Sequence, residues 1–296
     1  MNLILSLFFI FFIFFIGIFP FFILYLFSDF ICFLLYRVFG YRKKVILQNL
    51  KETLPEITGN EKQKLVNQIY RNLSDIIIEG IKSFVMTSKQ VNNRHKIINP
   101  EILEPYFESG KSIIAVTGHY CNWEWGSLSA SLQTKHQVVG FYKPMTNKYI
   151  DIFMRWSRSR FGTALASIKE TTKTFENFQN QPCIFLMAAD QNPSNKNAAI
   201  WVNFLGKDTA FLHGPEKHAR NNNYTVMYID IKRVKRGYYS VELSILADNP
   251  IELEKEALTK RFADTLEKNI IKNPSNWLWS HKRWKHNRNT DLKLNN

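Results

Sequence analysis

Cysteine is scarce in these 296 residues, with Cys32, Cys121 and Cys183 the full set. An odd count gives no disulfide framework, and no pair has metal-ligand spacing. No metal site is expected, and the chain reads as reduced and cytoplasm-facing. Cys32 and Cys183 read as buried thiols, and Cys121 carries no separate nucleophile signature. A glycine-rich phosphate loop, a Ser–His–Asp order and a zinc spacing are all missing. No internal repeat or low-complexity linker follows residue 40. Charge is missing from residues 3 to 27, and Lys and Arg are absent before Arg37.

That uncharged run is the first thing the chain does have. At about 1.5 Å per residue, 25 helical residues exceed a hydrocarbon core of roughly 30 Å. A cleaved signal peptide would need a basic start and a small-residue cleavage site, and neither is present. The sequence predicts a retained anchor. Pro20 should interrupt the helix, leaving residues 21 to 39 as a second helix that lies on the membrane. Arg37, Arg42, Lys43 and Lys44 follow and place the remainder on the cytoplasmic side. The expected organisation is residues 1–40 as a membrane anchor, one transmembrane plus one interfacial helix, and residues 41–296 as a cytoplasm-facing domain. The formal net charge is +14, which suits nucleic acid, an anionic membrane or an acidic protein. No nucleic-acid module is recognisable, so a nucleic-acid partner is not expected.

Beyond the anchor, residues 41 to 50 read as a basic amphipathic helix stopped near Pro55, and 61 to 86 as one or two helices. Residues 88 to 100 read as a polar loop and 101 to 110 as a short helix. Apolar strands are expected at 112–116, 137–142, 163–168 and 182–189, with a hairpin at 224–234 and 238–246 around Arg236-Gly237. Helices fall between the strands and again at 252–271. The fold class is α/β, a central mixed β-sheet flanked by helices, with an N-terminal membrane helix. Trp beside Lys and Arg in residues 277 to 285 suits a membrane interface, and 286 to 296 form a polar tail.

One strand end stands out. Ser112-Ile113-Ile114-Ala115-Val116 runs into Thr117-Gly118-His119-Tyr120-Cys121-Asn122-Trp123-Glu124, and α/β sheets place their chemistry at such ends. A near-neutral histidine takes a proton at physiological pH, and a carboxylate on its other ring nitrogen fixes the tautomer. On one helix, residues five apart diverge by roughly 140°. With His119 in the turn before the helix, the chain can bring Glu124 back to it. Further on, from Lys143 to Lys173, seven Lys and Arg face only Asp151 and Glu170. Such a local excess suits phosphates or head groups, for which arginine offers planar bidentate contacts. His213 and His218 read as surface or substrate-edge residues.

Gly118-His119 followed by Asn122-Trp123-Glu124 resembles the first signature block of the late acyltransferases of lipid A biosynthesis, within the wider lysophospholipid acyltransferase superfamily. Tyr142-Lys143-Pro144 with Asn147 resembles its second block, Arg158 its functional arginine, and Asp190-Gln191-Asn192-Pro193 its third. Trp277 to Lys285 resembles its C-terminal signature. The segment from Thr209 to Gly214 departs from the family's hydroxyl-rich run by carrying Phe211, Leu212 and His213. The resemblance covers roughly residues 40 to 285. It implies a glycerophosphate acyltransferase-like fold and an enzyme that moves a fatty acyl chain from a thioester onto a hydroxyl of a lipid A precursor. It implies His119 and Glu124 as catalytic base and orienting carboxylate. Asn122, Tyr142, Lys143, Asn147, Arg158 and Asp190 are implied as substrate-binding residues, with Asp190 also able to pair with Arg158 or His119 across the site. The donor would be acyl carrier protein, with no other cofactor, and the acceptor a lipid in the inner membrane. Open alternatives are a lysophospholipid or aminoacyl lipid as acceptor, or a non-catalytic basic scaffold on the membrane.

Overall fold

The structure, a computed structural model, describes residues 3–286 and 288; most of the expected polar tail lies outside them. Two apolar helices open the chain. Helix α1 spans Leu3–Ile18 and α2 spans Phe21–Phe33, with a π-helical turn, Leu34–Val38, prolonging α2. Pro20 divides the apolar run, because its ring and missing N–H cannot continue the preceding helix. The break expected at Pro20 and the second helix expected over residues 21 to 39 are both present. At about 1.5 Å per residue, α1 is about 24 Å long, short of the roughly 30 Å core. Among the described residues, the continuous helix Phe21–Val38 is the one long and apolar enough to cross a membrane by length and composition.

Helix α3 (Lys43–Thr53) is the basic amphipathic helix, and α4 (Gly59–Ser83) is one unbroken helix. Residues 88–100, expected as loop, instead form α5 (Ser88–Arg94) and the edge strand β1 (His95–Ile97). The signal was local and small: Thr87 and Gln90 form a capping box, and Val91 is the one buried residue of α5. Helix α6 (Glu104–Glu108) leads to β2 (Ile113–Thr117). Then α7 (Gly126–Gln133), β3 (Gln137–Tyr142), α8 (Lys148–Ser159), β4 (Ala164–Ser167), α9 (Thr171–Asn177) and β5 (Cys183–Ala188) follow in alternation. A separate hairpin, β6 (Ile200–Phe204) and β7 (Lys207–Phe211), precedes α10 (Gly214–Asn222). Its turn residues Leu205 and Gly206 both have positive φ, and Leu at such a position gives no sequence warning. The long hairpin β8 (Thr225–Lys235) and β9 (Tyr238–Ala247) and helix α11 (Ala257–Lys272) complete the chain.

The main sheet has the order β1-β9-β8-β2-β5-β3-β4. Strands β8, β2, β5, β3 and β4 are parallel, β9 runs against β8, and β1 is parallel to β9. The mixed sheet is flanked by helices, as an α/β chain requires to cover both faces. The central strand β2 is buried along Ile113, Ile114, Ala115 and Val116.

Helices α1 and α2 dock on α4 through polar groups that apolar helices rarely offer. Ser28 donates to Asp75 (2.6 Å), and Asp75 also receives Arg236, which reaches Asp29 at 2.7 Å. Lys82 donates to the carbonyls of Gly17 and Phe19 at 2.8 and 3.0 Å, satisfying carbonyls that the end of α1 leaves open. The opposite faces stay exposed and apolar, with Phe8 and Phe11 on α1 and Phe22, Leu26 and Phe30 on α2.

Candidate active site

Register explains how residues 71 apart meet. Thr117 of β2 pairs with Ala188 of β5 in a parallel ladder, so His119 and Asp190 each stand two residues beyond the same rung. The amide of Ala189 donates to Thr117 O at 2.9 Å, which locks that rung. From there Asp190 Oδ1 lies 2.5 Å from His119 Nδ1, and Oδ2 accepts from the His119 amide at 2.9 Å and from the Trp277 indole at 2.8 Å. Asp190 is 3% exposed. Gly118 permits this closeness: a Cβ there would sit 2.8 Å from Leu266 and 3.2 Å from Asp190 Oδ2.

With Nδ1 donating to Asp190, His119 Nε2 is an acceptor, and Gln191 donates its amide to it at 2.9 Å. Burial disfavours the charged ring, but the facing Asp190 carboxylate, and more weakly Glu124, outweigh it, so the His119 pKa is raised above its ordinary value. Burial likewise pushes Asp190 upward, and the His119 ring, with the Trp277 and amide donors, overcomes it and holds the carboxyl low, at about 2.

Glu124 is elsewhere. It lies within the turn Trp123–Trp125 and pairs with Arg158 of α8 at 2.9 Å. The expected hydrogen bond from His119 to Glu124 is thus replaced by one to Asp190, because a neighbouring strand end is nearer in space than a residue one helical turn along. The Trp123 ring packs edge-on against the His119 ring, with 4.9 Å between centroids.

The other expected residues divide into two groups. Tyr142, Lys143 and Arg158 line the cavity that His119 opens into. Asn122 and Asn147 do not. Asn122 is fully buried, donating to Glu79 at 2.7 Å and accepting from the Trp125 amide at 3.1 Å. Asn147 caps α8 through the Tyr149 amide at 3.0 Å and donates to Ser6 of α1 at 3.1 Å. Both asparagines hold backbone rather than face the cavity.

The cavity holds about 400 Å³ and runs between the sheet and α7, past Ala115, Ala130, Ile184, Ile229 and Leu243. Its apolar lining contrasts with the charged mouth formed by His119, Glu124, Lys143 and Arg158.

Several supporting residues carried little sequence signal. Glu79 accepts from Asn122, from Tyr25 at 2.9 Å and from Tyr239 at 2.7 Å, and its backbone carbonyl accepts from the Trp125 indole at 3.1 Å. Burial raises its pKa despite those donors. Gln191 directly follows Asp190, and that adjacency is its one clue. Arg283 is buried, lies over the Phe211 ring and donates to Asn192 at 3.1 Å; burial lowers its pKa to about 10. His218, expected at the surface, is buried and stacked on Phe175 at 4.3 Å. Burial pushes the Cys121 thiol up to about 12. Among the described residues no three His, Cys, Asp or Glu side chains gather as metal ligands.

The fold and the site define a class of protein. It is an α/β protein with a carboxylate-held histidine at a parallel strand end, at the mouth of a long apolar cavity. The chain belongs to the family described as bacterial lipid A biosynthesis acyltransferase, whose profile matches residues 2–286, and it is an acyltransferase. It is 22% identical over 246 residues to the lipid A biosynthesis acyltransferase of Haemophilus influenzae, covering 82% of this chain and 78% of that one. It is 20% identical over 254 residues to the lipid A biosynthesis lauroyltransferase of Escherichia coli, covering 85% and 82%. The palmitoleoyltransferase of the same organism is 18% identical over 245 residues, covering 82% and 79%.

Proposed function

We propose that the protein transfers a fatty acyl chain from the thioester of an acyl carrier protein to a hydroxyl of a lipid A precursor, with His119 as general base. One observation carries this reading: Asp190 holds His119 through Nδ1, and the ring lines an apolar cavity of about 400 Å³. The acceptor hydroxyl takes the place of the Gln191 amide at Nε2 and gives its proton to that nitrogen. Its oxygen attacks the thioester carbonyl carbon. The C–S bond then breaks, and the sulfur leaves as a thiol with the proton His119 received. Asp190 keeps the ring in the productive tautomer and stabilises its charged form. The apolar cavity accommodates the chain being moved. Lys143 and Arg158 at the mouth suit phosphate groups of either substrate, and an acidic carrier protein suits a chain of net charge +14.

We place the enzyme at the inner membrane with this domain facing the cytoplasm. Support comes from the exposed apolar faces of α1 and α2 and from Arg37, Arg42, Lys43 and Lys44 directly after them.

The test is mass spectrometry of lipid A from cells carrying the wild-type gene, no gene, or His119→Ala. Loss of one acyl chain in both defective strains is expected. General-base loss should lower the rate on the order of 10²–10⁴-fold, enough to leave the product absent. Unchanged lipid A with a different lipid altered would move the acceptor to a lysophospholipid or aminoacyl lipid. No lipid change with the variant stably present would favour a membrane scaffold.

A further inference from the structure

The Glu124–Arg158 pair stands between two cavities. One is the channel between the sheet and α7. The second, of about 350 Å³, lies between α1, α4 and α8. Trp123, Glu124, Met154 and Arg158 wall both. Phe9 and Ile13 of α1 face Ile76, Gly80 and Ile81 of α4 across the second cavity. Its rim residues Phe9 and Ile77 are 39% and 40% exposed, and the neighbouring outer face of α1 is apolar.

We infer that this second groove seats a hydrocarbon tail of the lipid acceptor while the inner channel seats the donor's chain. The inference rests on the acyl-transfer reading above. Transfer requires a thioester chain and a lipid hydroxyl at His119 together, so two apolar chains must be sheltered at once. The inner channel holds one chain, and an acceptor tail drawn out of the bilayer toward His119 would otherwise meet water. Two apolar compartments that meet at a shared wall beside His119 meet that need. The shared wall carries Arg158, whose guanidinium suits an acceptor phosphate, so head group and tail would be held by adjoining surfaces. The groove rim adjoins the exposed phenylalanines of α1, so a tail can enter sideways from a bilayer.

Gly80 supplies the probe, because a Cβ there meets nothing within 4 Å and a larger side chain grows into the groove. Full-length protein is assayed with acyl carrier protein thioesters of several chain lengths and a lipid A precursor in mixed micelles. Gly80→Leu is expected to raise the acceptor KM by at least about tenfold, with donor KM and chain preference unchanged. Ala130→Phe, inside the inner channel, is expected to shift donor chain preference and leave the acceptor KM alone. If Gly80→Leu loses its cooperative melt, Phe9→Trp on the opposite wall gives the same readout. An unchanged acceptor KM in a folded groove variant, or a change in donor chain preference, overturns the assignment. Wild-type protein that transfers no chain to the precursor overturns the underlying reading instead, and that result is seen before any variant is measured.

Discussion

Asp190 is 3% exposed and receives three hydrogen bonds, whereas the Glu124 side chain is 35% exposed and shares one bond with Arg158. Both carboxylates act on His119, one by contact and one through space. The buried one is fixed by donors from two directions and has no room to exchange partners. The open one faces two cavities across an ion pair that solvent already screens. A charge that must hold a ring still is buried and saturated. A charge that must admit a ligand is left half open with a displaceable partner.

Asp190→Asn is expected to give the largest break in that contrast. It should lower turnover on the order of 10²–10⁴-fold, because an amide no longer fixes the tautomer or stabilises the charged ring. Proton transfer needs neutral His119, so kcat/KM rises with pH through the histidine's pKa. Since that pKa is raised, the acid limb of the wild-type profile should lie above the ordinary histidine value of about 6.5. Losing the Asp190 charge leaves burial dominant, so the limb should move to lower pH. A limb that stays in place would mean that Asp190 does not set the ring's charge. Glu124→Gln should cost less, about 10- to 100-fold, in keeping with the loss of one charge-assisted bond. Its acid limb should move in the same direction by a smaller step. If Glu124→Gln equals Asp190→Asn in both rate and limb, the two carboxylates act as a unit and the contrast fails.

The histidine, its strand and the α/β class were legible because they rest on local patterns: an apolar run, a turn and alternating elements. The identity of its partner was not, because pairing depends on which strands lie side by side. Sequence spacing favoured Glu124, five residues away, while the β2–β5 register delivered Asp190 from 71 residues away. Asn122 and Asn147 were implied as substrate-binding residues, but a motif does not say whether an amide faces a cavity or caps a backbone. Helix α5 was hidden by its polarity, since it buries Val91 alone, and β1 by its length of three residues. The division of the apolar N-terminal run at Pro20 was readable from proline chemistry alone. The π-helical turn that ends the second helix was not, because it has no simple pattern.

The same contrast between saturated and open carboxylates extends to Glu79, which links the apolar helices to the catalytic block. Tyr25 of α2 donates to Glu79 Oε1, while Asn122, which caps the turn containing Glu124, donates to Oε2. Tyr25→Phe removes a single hydroxyl. The ring remains to stack beneath Arg236, whose guanidinium lies 4.4 Å from its centroid. The Glu79 oxygen that loses its donor is buried, so its desolvation is no longer offset, at about 1–3 kcal/mol. That should appear as a melting point a few degrees lower for a domain of this size. Asn122 and Tyr239 still donate to the other Glu79 oxygen, so Asn122 keeps its seat and kcat should change by less than about threefold. If kcat instead falls as far as in Glu124→Gln while the melt is unchanged, the seat of α2 controls the catalytic turn directly. Glu79 would then belong with the open, responsive carboxylates, and burial alone would not separate the two kinds.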